Sequence, residues 1–157
     1  MLPREYETQN CSVARTLELI GDRWTILIVR DAFLGVRRFD DFQRSLGIAR
    51  NVLAGRLQRL TDDGVLERRR YQERPVRCEY ALTRRGLDLW PVIVSLKRWG
   101  DTHLAPEGKP LLFEHRDCGG EIDLDPRCGR CGEEVGVGGV VARPGPGAVL
   151  PRTTAAA

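Results

Sequence analysis

No run of the sequence approaches the ~20 consecutive apolar residues that a membrane-spanning helix requires, so no such helix and a soluble protein are expected. Met1 to Asn10 is polar and lacks both an apolar core and a small-residue cleavage site. No secretory signal is therefore expected, and the expected compartment is the cytoplasm. Internal repeats are absent, as are a phosphate-cradling glycine loop and a nucleophile, base and orienter set, so enzymatic chemistry is not expected. Lysine is scarce, since 23 of the 25 basic residues are arginine. The five cysteines are an odd number, which in a reducing compartment suits thiols or metal ligands better than a disulfide framework.

What is present points to one main core with an appendage. The chain has 157 residues, 41% of them hydrophobic and 30% charged, as in ordinary soluble domains. The formal charge of +3 hides an asymmetry, because residues 1–104 carry 19 basic against 14 acidic residues and residues 105–157 carry 6 against 8. Seven arginines, Arg68, Arg69, Arg70, Arg74, Arg77, Arg84 and Arg85, cluster with only Glu73 and Glu79 between them. Such a cluster calls for a polyanionic partner.

Periodicity predicts a first helix from Cys11 to Ile20 with Val13, Ala14, Leu17 and Ile20 at helical spacing. Asp22 can cap a second helix through Phe33, apolar enough to be buried on several sides. A short third helix, Arg38 to Leu46, is closed by Gly47, and a fourth carries Val52, Leu53, Leu57 and Leu60 before stopping near Asp63 and Gly64. Short helix, glycine turn and longer helix form a helix-turn-helix layout. Val65 to Tyr71 and Val76 to Leu82 read as a hairpin, the wing. Thr83 can cap a last helix through Trp99, with Pro91 marking a kink or join. Periodicity vanishes beyond Ala105, and residues 136–157 have a composition expected to be mostly disordered.

On the fourth helix Leu53, Leu57 and Leu60 fall on one side, and Asn51, Ala54, Gly55, Gln58 and Arg59 on the other, with Arg50 near the N-terminal end. Small residues let the backbone approach a major groove, Asn or Gln pairs bidentately with adenine, and Arg with guanine or phosphate. Arg74 and Arg77, at or beside the wing tip, suit phosphate contact. Arg68, Arg69 and Arg70 alternate along a strand and cannot all face DNA together, so one is expected to pair with Glu67 or Glu79.

After the wing, His115, Cys118, Cys128 and Cys131 form H-x2-C-x9-C-x2-C, two close pairs suited to opposite sides of a tetrahedral zinc ion. Four protein ligands would make the site structural. A redox-active Cys128-Gly-Arg-Cys131 pair and three unligated thiols are the alternatives, and Asp117 or a water could replace His115. Cys78 reads as packing and His103 as a helix-end residue.

Cys11, Ile20-Gly21-Asp22-Arg23-Trp24-Thr25, Arg38-Phe39, Leu57-Gln58-Arg59-Leu60 and Leu82-Thr83 together resemble the HxlR-type regulators, relatives of the MarR winged-helix proteins, over roughly residues 10–104. Where that family often has Gly-Gly-Lys-Trp, this chain has Gly21-Asp22-Arg23-Trp24, a departure with no consequence legible in the sequence. The resemblance implies a homodimer built from the first and last helices, reading an inverted-repeat operator in double-stranded DNA with half-sites about one helical turn apart. It also matches Cys11 to a cysteine that senses oxidants or electrophiles in several members. The fold class expected is mainly α with a small β-hairpin wing (α+β): a winged helix-turn-helix over 1–105, a zinc knuckle over 106–135 and a tail over 136–157. The function expected is transcriptional regulation as a homodimeric repressor answering a small-molecule or redox signal. The alternative is a winged-helix protein-protein adaptor with a structural zinc knuckle.

Overall fold

The computed structural model describes residues 11–122 and 127–148. Two compact units divide between Leu89 and Trp90. Sequence patterning placed the division near Ala105 instead, because the helix preceding Ala105 carries the same amphipathic signal as those before it.

In the first unit, α1 (Ser12–Ile20), α2 (Arg23–Phe33), α3 (Phe39–Leu46) and α4 (Arg50–Asp62) precede an antiparallel hairpin of β1 (Leu66–Glu73) and β2 (Val76–Leu82). Ile28, Val29 and Ala32 of α2, Phe42 of α3 and Leu53, Leu57 and Leu60 of α4 supply the buried side chains, joined by Val65 and Leu66. Trp24, Ile26 and Leu27 are half-buried on other sides of α2, consistent with its nearly all-round apolar sequence. Asp22 caps this helix, its Oδ1 accepting from the amides of Trp24 (3.0 Å) and Thr25 (3.2 Å). Gly47 ends α3 in a left-handed conformation (φ 61°) that any β-carbon would strain, and so turns the chain sharply into α4.

The hairpin runs in register from Leu66 opposite Leu82 to Glu73 opposite Val76, with one irregularity between Arg70 and Gln72. A bridge from Arg38 to Glu79, with the Tyr80 amide donating to the Arg37 carbonyl at 2.8 Å, lays the segment before α3 along β2. The wing is thereby tied to the helix-turn-helix. Thr83 then caps α5 (Arg84–Leu87), its Oγ1 accepting from the Gly86 amide and donating to the Gly64 carbonyl at 2.6 Å.

The second unit holds α6 (Trp90–His103), β3 (Leu111–His115), a 3-10 turn at Val137–Gly139 and β4 (Val140–Pro144). Pro91 lies at the start of α6, where a missing amide donor costs nothing, and marks a join with α5. Val94, Phe113, Ile122, Cys128 and Val135 form this unit's core, with Trp90 packed on Phe113 at a ring separation of 4.9 Å. Strands β3 and β4 pair antiparallel from Leu111 opposite Pro144 to His115 opposite Val140.

That pairing corrects the expectation of disorder for residues 136–148. Their own composition builds no core, but Leu111 and Phe113 supply one, and backbone hydrogen bonding recruits Val140 and Val141 onto it. The part of the expected tail after residue 148 lies outside the described residues. No described helix is long and apolar enough to cross a membrane.

Candidate nucleic-acid interface and metal centre

Helix α4 presents Asn51, Ala54, Gly55 and Gln58 exposed, backed by its buried leucines. Arg50, at its first turn, stacks over the Phe39 ring at 4.7 Å and pairs with Asp40 at 3.3 Å, which holds its guanidinium beside the outward face. Gln58 Nε2 donates to Asp62 Oδ1 at 2.7 Å.

Arg59 departs from the sequence expectation. Its Nη2 donates to the Glu18 carbonyl of α1 at 2.5 Å and its Nε lies 3.6 Å from Asp63 Oδ2, so the side chain ties α4 to α1 instead of projecting outward. The helical wheel placed it at the margin of the exposed face, and a long side chain at such a margin can turn either way.

Arg56, absent from the sequence expectation, has a similar part. Its Nη2 donates to Asp22 Oδ2 at 3.0 Å, joining α4 to the cap of α2. The Gly-Asp-Arg-Trp departure thus has a consequence. One Asp22 oxygen caps α2 while the other holds α4, and only the fold could reveal that, because 34 residues separate the partners.

The wing arginines separate into two classes. Arg69 pairs with Glu67, and Arg70 lies 3.4 Å from Glu73, so these charges are offset on the hairpin itself. Arg68, Arg74 and Arg77 are exposed and make no ion pair among the described residues. Arg74 lies with Pro75 in the turn between the strands, and Arg77 lies beside the tip on β2, opposite Gln72.

In the second unit, His115, Cys118, Cys128 and Cys131 converge, their ligand atoms all within 4.8 Å of one another. Cys118 Sγ lies 3.3 Å from both His115 Nδ1 and Cys128 Sγ, and Cys131 Sγ lies 3.4 Å from His115 Nδ1. Tetrahedral zinc with metal–sulfur bonds of about 2.3 Å sets ligand atoms roughly 3.5–3.8 Å apart, so the cluster has the size of such a site.

The two ligand pairs sit on matching loops. The Gly119 amide donates to the His115 carbonyl (2.8 Å) and the Gly132 amide to the Cys128 carbonyl (2.9 Å), with both glycines left-handed at φ 66° and 74°. His115 therefore occupies in the first loop the place Cys128 holds in the second. Its Nδ1 lies on the side of the sulfurs, and its Nε2 has Asp117 at 3.6 Å and Glu133 at 4.0 Å as neighbouring carboxylates. Asp117 thus lies on the Nε2 side of the imidazole.

The thiols are electrostatically unequal. Amides of Cys131 and Arg130, with the Cys118 and Cys131 thiols, lower Cys128 to about 6. At Cys131 the Glu133 amide favours the thiolate, but desolvation and the crowding Cys118 and Cys128 thiols outweigh it and push the group up to about 11.

Cys11 is exposed at the N-terminal end of α1, where the amides of Ala14 and Val13 lower its pKa without forming a side-chain cap bond of normal length. Cys78 is half-buried on β2, and His103 ends α6 stacked on Trp99 at 5.0 Å.

Comparison with known proteins agrees with this arrangement. A family model described as HxlR-like helix-turn-helix matches residues 19–108. The HTH-type transcriptional regulator Rv3095 of Mycobacterium tuberculosis is 48% identical over 137 residues, covering 87% of each chain. Among solved structures, the transcription factor PA1607 superposes with a TM-score of 0.70 at 39% identity, over 82% of this chain and 91% of that one. The redox regulator HypR in its reduced form gives 0.56 at 32% identity, over 59% and 92%. With its helix-turn-helix, its wing and the motifs at the α1–α2 corner in place, the chain belongs to the HxlR-like helix-turn-helix family of transcriptional regulators.

Proposed function

We propose that the protein is a homodimeric, sequence-specific repressor that reads an inverted-repeat operator through α4, with a structural zinc ion stapling its second unit. The observation that carries the reading is the outward face of α4, where Asn51, Ala54, Gly55 and Gln58 lie exposed behind a left-handed turn, in a fold whose hairpin carries the unpaired Arg68, Arg74 and Arg77. Arg50 and Asn51 contact base edges, Ala54 and Gly55 allow close approach, and Arg74 and Arg77 contact phosphate. Dimerisation covers the apolar residues that α1 and α6 expose, Val13, Leu17, Leu96 and Trp99. Footprinting tests the reading: two protected half-sites in inverted orientation support it, and a direct repeat or a single half-site refutes the symmetric dimer. Asn51→Ala should relax a base preference, whereas Arg77→Gln should weaken operator and random DNA alike.

His115, Cys118, Cys128 and Cys131 would hold the zinc. Four protein ligands leave no open position for an activated water, so the ion supplies folding energy and not catalysis. Elemental analysis after gentle purification should find about one zinc per chain, and less than half an equivalent would overturn the assignment.

A redox input at Cys11 is favoured by its exposure, its lowered pKa and the similarity to HypR. Oxidants or electrophiles should weaken operator binding by the wild type and not by Cys11→Ser. Identical responses of the two would sink the sensor.

A further inference from the structure

Between α3 and the wing lies an open groove of about 550 Å³, and its charges are unevenly compensated. Arg44 and Arg50 on its α3 side pair with Asp41 (3.1 Å) and Asp40 (3.3 Å). Arg38, Arg68 and Arg77, which reach it from the start of α3 and from both wing strands, pair with no carboxylate among the described residues. Three positive charges thus converge on one concavity from three separate segments, while Arg69 and Arg70 of the same hairpin are offset by Glu67 and Glu73.

Arg38 is also positioned. Its guanidinium lies over the Tyr71 ring at 4.9 Å, and its backbone is bridged to Glu79 of β2, so both ends of the side chain are held at the edge of the groove. An uncompensated, preorganised cluster of planar guanidinium forks is suited to phosphate oxygens, which accept two parallel hydrogen bonds from one fork.

We propose that this groove is a backbone clamp in which Arg38 and Arg68, with Arg77, grip neighbouring phosphodiesters of the DNA backbone beside the segment read by α4. The clamp rests on the proposed DNA-binding function and extends it to Arg38 and Arg68, neither of which the recognition helix or the wing tip would nominate. It contributes affinity and register and carries no base information.

The test is the salt dependence of binding to a fixed duplex of random sequence, measured for wild type, Arg38→Gln, Arg68→Gln, Arg38→Lys and Arg69→Gln, each checked for an unchanged thermal transition. The slope of log affinity against log salt should fall by about 0.9 for each lost phosphate contact in Arg38→Gln and in Arg68→Gln. Arg69→Gln, whose charge Glu67 already offsets, should keep the wild-type slope, and Arg38→Lys should keep most of it. Wild-type slopes in both Arg38→Gln and Arg68→Gln, or an equal fall in Arg69→Gln, overturn the clamp while leaving DNA binding intact. Should the wild type itself show no salt-dependent retention, the DNA-binding reading fails and the clamp with it.

Discussion

Removing the Asp22–Arg56 pair should loosen the recognition helix by an amount the geometry allows to be worked out. Asp22 does two jobs, capping α2 and holding Arg56 at 3.0 Å. Loss of the cap costs about 1 kcal/mol. The pair's side chains are 31% and 37% exposed, so solvent screens it to about 1 kcal/mol, less than the ~1.5–3 of a fully buried charged hydrogen bond. Arg56→Ala should therefore cost about 1 kcal/mol, Asp22→Ala about 2, and the double variant about 2 instead of the 3 that independent sites would give. Urea unfolding followed by far-ultraviolet circular dichroism, at one fixed protein concentration because the proposed dimer would make stability depend on it, measures all four proteins. A double-variant cost equal to the sum of the single costs would show that the two residues do not couple, and the reasoning that α4 is anchored through Asp22 would fall.

Gly120→Ala should cripple the metal centre without touching a ligand, since its β-carbon would lie 2.4 Å from Cys128 Sγ and 2.5 Å from Arg130 Cβ. Titration with a chromophoric zinc chelator should show at least a tenfold loss of affinity. Zinc retention should fall as pH falls, because each thiolate must take up a proton as it leaves the metal. Release on acidification that is no easier than at neutral pH would contradict thiolate ligation. Cys11 should alkylate faster than Cys78 at neutral pH, and its rate should level off at a lower pH than that of a free thiol, because its lowered pKa populates the thiolate earlier. Mass spectrometry of partly iodoacetamide-treated protein reads this directly. Arg59→Ala should lower stability and weaken all DNA sequences equally, and a change in base preference would return Arg59 to the reading surface.

The helix-turn-helix was legible in the sequence because each of its parts leaves a local mark. Apolar residues recur at helical spacing, Asp22 and Thr83 cap, Gly47 turns, and β2 alternates. The Cys/His cluster was equally legible, since each close pair lies within one short loop and chemistry constrains the residue types. Two things escaped local reading. Residues 136–148 looked structureless because a strand that borrows its core from Leu111 and Phe113 needs few apolar residues of its own. The sorting of the arginines escaped as well.

Sequence by itself determined that this protein has a helix-turn-helix with a basic wing, a zinc-sized Cys/His set and an arginine surplus on its first 104 residues. Only the tertiary structure decided what each arginine is for. Arg59 and Arg56 turn inward to the Glu18 carbonyl and to Asp22, Arg69 and Arg70 are neutralised on their own hairpin, and Arg38 sits over Tyr71. The physical reason is that a charge's role is set by what lies within a few ångströms of it. For a side chain as long as arginine those neighbours come from segments as far apart as residues 18 and 59.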